Sequence, residues 1–126
     1  MVTSEDSILK RGNLTDPNCP TRLVLDRIGD KWTVLVVTRL SDGPMRFTQL
    51  RNGIGGVAPK VLTQTLRALE RDGLVIRTVY AEVPPKVTYE LTDLGHSLRG
   101  PVEAIADWSE RNVNRILAAR AAADEG

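Results

Sequence analysis

Among its 126 residues the chain has one cysteine, Cys19, and one histidine, His96. A lone thiol excludes a disulfide within one chain and any cysteine-based zinc cage, and one histidine adds too few ligands for an internal metal site. The same scarcity leaves no nucleophile, base and orienting group to assemble into a thiol enzyme, and no glycine-rich phosphate loop offers another chemistry. The chain is therefore read as a non-enzyme, with no cofactor expected. No apolar run approaches the roughly 18 residues that span a bilayer. The N-terminal MVTSEDSILKRGN carries acidic and polar residues where a signal peptide needs an apolar core. These absences predict a cytoplasmic protein without membrane contact. Neither an internal repeat nor a low-complexity segment occurs before the alanine-rich AARAAADEG, so the length fits one domain with short tails.

Excess charge is scarce as well, at a net +1. An even spread would argue against a nucleic-acid binder, but residues 46 to 92 hold seven basic side chains against four acidic ones, a local +3, while the remainder sums to −2. Local rather than total charge neutralises phosphates and releases counterions. The stretch PKVLTQTLRALERDG, residues 59 to 73, lies within this basic region and reads as a two-faced helix. Leu62, Leu66 and Leu69 recur at helical spacing on one side; Lys60, Thr63, Gln64, Arg67 and Arg71 line the other. Cations, hydroxyls and an amide are the groups that contact phosphates and base edges in a DNA groove, although a charged outer face can also be merely solvated.

The surroundings favour the first reading. Residues 1–18 are polar and punctuated by Gly12, Asn13, Asp16 and Pro17, so they are expected to form a flexible arm. Pro20 suits the first turn of a helix through Leu23, Val24 and Ile28 that stops at Gly29. Asp30 can cap a second helix, Lys31 to Leu40, with Trp32, Leu35, Val36 and Leu40 as its apolar face. A short helix from about Arg46 to Arg51 and the turn NGIGGVAP precede the two-faced helix, which is the helix-turn-helix arrangement. Residues 74–80 and 87–91 read as strands, and AEVPPK between them forms a tip whose prolines cannot join a sheet. Lys86 is expected to project from this wing. Thr92 and Asp93 can cap a last helical region carrying Leu98, Val102, Ile105, Val113, Ile116 and Leu117, kinked or restarted at Pro101. So long an apolar stripe after the wing suggests a dimerisation helix, packed with the first; the alternative is a helix folded onto its own core.

The resulting fold class is α+β, mainly α: a winged helix-turn-helix domain with a β-hairpin wing and N- and C-terminal dimerisation helices. It is expected to occupy residues 19–117, between the arm and a tail at 118–126. This order, carrying the segments GDKWT, RFTQLRNGI to PKVLTQTLRALERDGL, and VPPKVTYELTDLG, closely resembles the HxlR-type winged helix-turn-helix transcription regulators of bacteria. The likeness covers roughly residues 19 to 112. It implies a homodimeric DNA-binding regulator, the fourth helix of each subunit in a major groove and the wing on the flanking backbone. The family commonly has a serine before the proline that opens the recognition helix, where this chain has Ala58.

The candidate contacts follow from residue chemistry. Gln64 and Arg67 are placed to read adenine and guanine by bidentate hydrogen bonds; Lys60, Thr63 and Thr65 lie nearer the helix N-terminus, which favours phosphate. Arg46 and Lys86 are read as phosphate contacts, and Arg71 and Arg77 as solvated charges. Cys19 immediately precedes Pro20, so it is expected at the N-cap of the first helix, where partial positive charge favours thiolate. Several regulators of the type this chain resembles carry a cysteine there, and in some of them oxidants, quinones or other electrophiles modify it, which would make such a molecule a partner. The alternative is a small buried residue that reads no signal. Trp32 and Trp108 are read as core or interface residues, and His96 as a solvent-touching residue at the last helix start. Two further readings stay open: a small-molecule-responsive regulator with no thiol role, and a winged-helix protein-interaction module.

Overall fold

The computed structural model describes residues 14–126, so most of the expected arm lies outside the described residues. Helix α1, Pro20–Ile28, buries none of its residues; Leu23, Val24 and Leu25 are exposed. Asp30 then caps α2, Lys31–Leu40, its carboxylate accepting the Trp32 N–H at 2.8 Å. The buried stripe of α2 is Thr33, Val36, Val37 and Leu40, whereas Leu35 is 38% exposed. This departs from the expected face because WTVLVV is apolar nearly all round, so periodicity alone cannot choose its inward side.

Helix α3, Phe47–Gly53, is opened by Gln49, whose side-chain oxygen accepts the Arg46 N–H at 2.8 Å. The following turn is more than a connector, since Ile54 and Val57 are both buried in the core. Helix α4, Pro59–Arg71, buries Leu62, Thr65, Leu66 and Leu69. It ends at Gly73, whose φ of +77° is a conformation that side-chain-bearing residues resist. Gly73 N–H bonds to the Glu70 carbonyl at 3.0 Å and Leu74 N–H to that of Leu69 at 2.9 Å, a Schellman closure that turns the chain into the wing.

Strands β1, Val75–Tyr80, and β2, Lys86–Leu91, pair antiparallel from Val75↔Leu91 to Tyr80↔Lys86. Met45 adds a bridge to the other edge of β2, exchanging two hydrogen bonds with Tyr89 at 2.9 and 2.8 Å. The wing is thereby tied to the entry of the helix-turn-helix. Beyond it lie α5, Asp93–His96, and α6, Arg99–Glu125. The final helical region is thus restarted, with Pro101 in the first turn of α6, where a missing N–H leaves no bond unmade. Residues 118–125, expected as tail, continue this helix, which at 27 residues is roughly 40 Å long.

One core joins these elements: Val36, Val37 and Leu40 of α2, Leu50 of α3, Leu62, Leu66 and Leu69 of α4, Val75 and Leu91 of the wing, and Val102 of α6. Among residues of α6 only Val102 is buried; Ile105, Trp108, Val113, Ile116 and Leu117 are exposed.

Thr92 closes the packing between wing and α5, donating its hydroxyl to the Gly73 carbonyl at 2.7 Å and accepting the Gly95 N–H at 3.0 Å. A Cβ at Gly95 would collide with the Leu74 carbonyl oxygen. Gly95→Ala should therefore lower stability by about 1–3 kcal/mol, seen as a reduced urea midpoint at constant slope. An unchanged midpoint would mean that this backbone contact yields freely.

Candidate nucleic-acid interface

The outward face of α4 follows from what the helix buries. With its leucines in the core, Lys60, Gln64, Arg67 and Arg71 are exposed and Thr63 is half-buried. Thr65 belongs to the opposite side. It is 8% exposed and its hydroxyl donates to the Val61 carbonyl at 2.9 Å. The expectation that Thr65 meets DNA is corrected accordingly: helical geometry carries it one position past Gln64 toward the core, and its hydroxyl is taken up by its own helix.

Arg46 is exposed as the N-cap residue of α3. Lys86 stands at the start of β2 rather than on the tip, half-buried, with Nζ 5.2 Å from the centre of the Tyr80 ring across the strand pair. Its ammonium is held against the wing by a cation–π contact, so it projects less than expected. The tip itself, residues 81–85, is exposed. Arg77, read from sequence as a solvated charge, stands beside Arg67 in a polar cleft between α4 and the wing, with Glu70 and Tyr89. No sequence signal marks this pairing, which arises from the turn at Gly73.

The attitude of α4 is also held from behind. Arg27 of α1 donates to Asp72, the C-cap of α4, at 2.6 Å, with the two side chains 33% and 25% exposed. Such a partly exposed pair contributes on the order of 1 kcal/mol at most. Its larger effect is geometric, since it links the unburied helix α1 directly to the end of α4. Cys19 is the N-cap of α1 and only 9% exposed, beside a shallow recess that includes Arg22 and Asp26. His96 is exposed at the end of α5, Trp32 is half-buried with the Lys31 ammonium 4.7 Å from its ring centre, and Trp108 is 55% exposed on α6. Among the described residues no cluster of three or more His, Cys, Asp or Glu could hold a metal ion, and no helix is long and apolar enough to cross a membrane.

A helix braced by a preceding helix, exposing cations and an amide beside a β-hairpin, defines a winged helix-turn-helix DNA-binding transcription regulator. Residues 27–117 match the family model described as HxlR-like helix-turn-helix. The chain belongs to this family. It is 47% identical over 112 residues, 89% of each chain, to the HTH-type transcriptional regulator YtfH of Escherichia coli K12. The solved transcriptional regulator YtfH of Salmonella typhimurium superposes with a TM-score of 0.79 at 47% identity, covering 86% of this chain and 97% of that one. The redox regulator HypR in its reduced form is similar at a TM-score of 0.73 and 38% identity, over 79% and 98% of the respective chains.

Ala58 is the N-cap of α4, with φ −74° and ψ 143° but no side-chain acceptor for the first-turn N–H groups. Ala58→Ser supplies that acceptor on a backbone already shaped for it, and should raise stability by about 1 kcal/mol. Thermal and urea denaturation measure this; a serine variant no more stable than the parent would mean that water already satisfies the helix start.

Proposed function

We propose that two copies of this chain form a homodimer that binds a roughly palindromic operator, each α4 entering a major groove. Lys60, Gln64 and Arg67 make the principal contacts, with Thr63 at their edge. Arg46 and Lys86 meet the flanking phosphates. The observation that carries this reading is the division of α4 into a leucine face sealed in the core and a cationic, amide-bearing face open beside the wing. Dimerisation is supported by apolar surface that a single copy leaves uncovered: Leu23 and Val24 on α1, and Ile105, Trp108, Val113 and Leu117 on α6, are each at least 45% exposed. Twofold symmetry then sets half-sites about 34 Å apart, one turn of duplex. The protein would act where the chromosome is, in the cytoplasm.

A duplex selected from a random-sequence library by the wild-type protein provides the probe. Arg67→Ala should lose about 1–3 kcal/mol of discrimination at particular base pairs, measured by binding to single-base variants of the probe. Wild-type affinity no better for the selected duplex than for random duplex would falsify the reading. The pair Trp108→Glu and Leu117→Glu, combined in one chain, should shift the mass from dimer to monomer in light scattering; a dimer that persists would place the interface elsewhere.

The regulation we propose runs through Cys19, supported by its position at the N-cap of α1 and by the likeness to HypR, which is described as a redox regulator. With one thiol per chain, a peroxide can oxidise it to sulfenic acid, which then condenses with a small thiol or with Cys19 of the other subunit, releasing water. Peroxide or diamide should change operator affinity of the wild type and leave Cys19→Ser unaffected. Equal responses in the two proteins would remove the thiol switch and leave a regulator governed by other means.

A further inference from the structure

The cleft between α4 and the wing has a volume of about 360 Å³ and is lined by Thr63, Leu66, Arg67, Glu70, Arg77 and Tyr89. Two arginines thus border one recess, one from α4 and one from β1. Their placement is enforced by the backbone. Arg77 pairs directly with Tyr89 across the hairpin, so both side chains lie on the same face of the ribbon, and Tyr89 is held from its other edge by Met45. Arg67 comes from a helix whose rotation is set by the buried Leu66 and Leu69 beside it.

Charge in this cleft is not balanced from within. Among the described residues the ion pairs are Arg27–Asp72 and Arg99–Glu103, so Glu70, although it lines the cleft, pairs with neither arginine. Two cationic residues and one acidic one give the recess a net positive charge, and Thr63 and Tyr89 also line it. A planar guanidinium fork suits the oxygens of a phosphodiester, and like charges brought together are relieved when an anion enters between them.

We infer that Arg77 is a DNA-contact residue: with Tyr89 it grips a backbone phosphate of the duplex in the cleft between α4 and the wing, while Arg67 turns toward the bases. This rests on the reading of α4 as the groove-entering helix. It assigns β1, the outer strand of the wing, rather than the tip alone, to the interface.

The test measures binding of the full chain to the selected duplex and to random duplex between low and moderate salt. Arg77→Ala should weaken both duplexes by a similar factor, roughly tenfold, and reduce the slope of log affinity against log salt by about one. Arg77→Lys should keep most of the slope, because a point charge still displaces a counterion. Arg77 is exposed, so both variants should melt with the wild type, which circular dichroism checks. Unchanged affinity and slope in Arg77→Ala would overturn the assignment, as would a loss confined to particular base pairs, which would make Arg77 a base reader. A wild type without duplex affinity would sink the proposed function as well, whereas a wild type that binds and an Arg77→Ala variant that matches it would sink this inference alone.

Discussion

Leu62, Leu66 and Leu69 fasten α4 into a core shared with Val36, Val37 and Leu40 of α2 and with Val75 and Leu91 of the wing. That burial decides which way every other side chain of α4 points. Leu62, Leu66 and Leu69 are each no more than 1% exposed, and fully burying a leucine is worth roughly 1.5–3 kcal/mol. Rotating α4 by one residue to present Thr65 instead of Gln64 would draw leucine out of the core. The three leucines together outweigh any single ordinary hydrogen bond, worth about 0.5–1.5 kcal/mol net.

The wing depends on the same helix through its C-terminal turn. Gly73 lets the chain reverse without strain, the Schellman bonds close α4, and Leu74 then serves two neighbours with one carbonyl: it accepts the Thr92 N–H at 3.0 Å and leaves room at Gly95 for no side chain. With Met45 bridged to Tyr89, the hairpin is tied along β2 as well as at its base. The polar cleft beside Arg67 is therefore a product of rigid neighbours. The backbone positions that carry Arg67 and Arg77 are set before a polyanion approaches, so binding has only their long exposed side chains left to order.

Contacts between α1 and α4 give a route by which events outside the DNA face could reach it. Arg27 joins the C-cap of α4 to a helix that buries nothing within one copy and begins at Cys19. A change at the start of α1 acts on a helix that buries none of its residues. The linkage requires no long chain of couplings, only the displacement of one short helix bonded to the end of the reading helix.

The sequence by itself determined the element order, the fold class and the family likeness, because each rests on local chemistry: Pro20 and Pro59 at helix starts, Asp30 as a cap, leucines at helical spacing, β-branched runs around a proline tip. It also separated the inner from the outer face of α4, except at Thr65, which lies at the boundary where period alone does not say on which side a small polar residue falls. It could not orient α2, where WTVLVV offers apolar side chains in nearly every direction, and it read Ile54 and Val57 as turn rather than core. Arg27 meeting Asp72, Met45 pairing with Tyr89, Lys86 lying on Tyr80 and Arg77 standing across from Arg67 were decided by tertiary structure alone. All four join different segments of the chain, Lys86 and Tyr80 across the hairpin and the others over longer separations. Residues brought together by packing leave no periodic trace in the chain, so the cleft that completes the candidate interface existed only once α4 and the wing had closed on a common core.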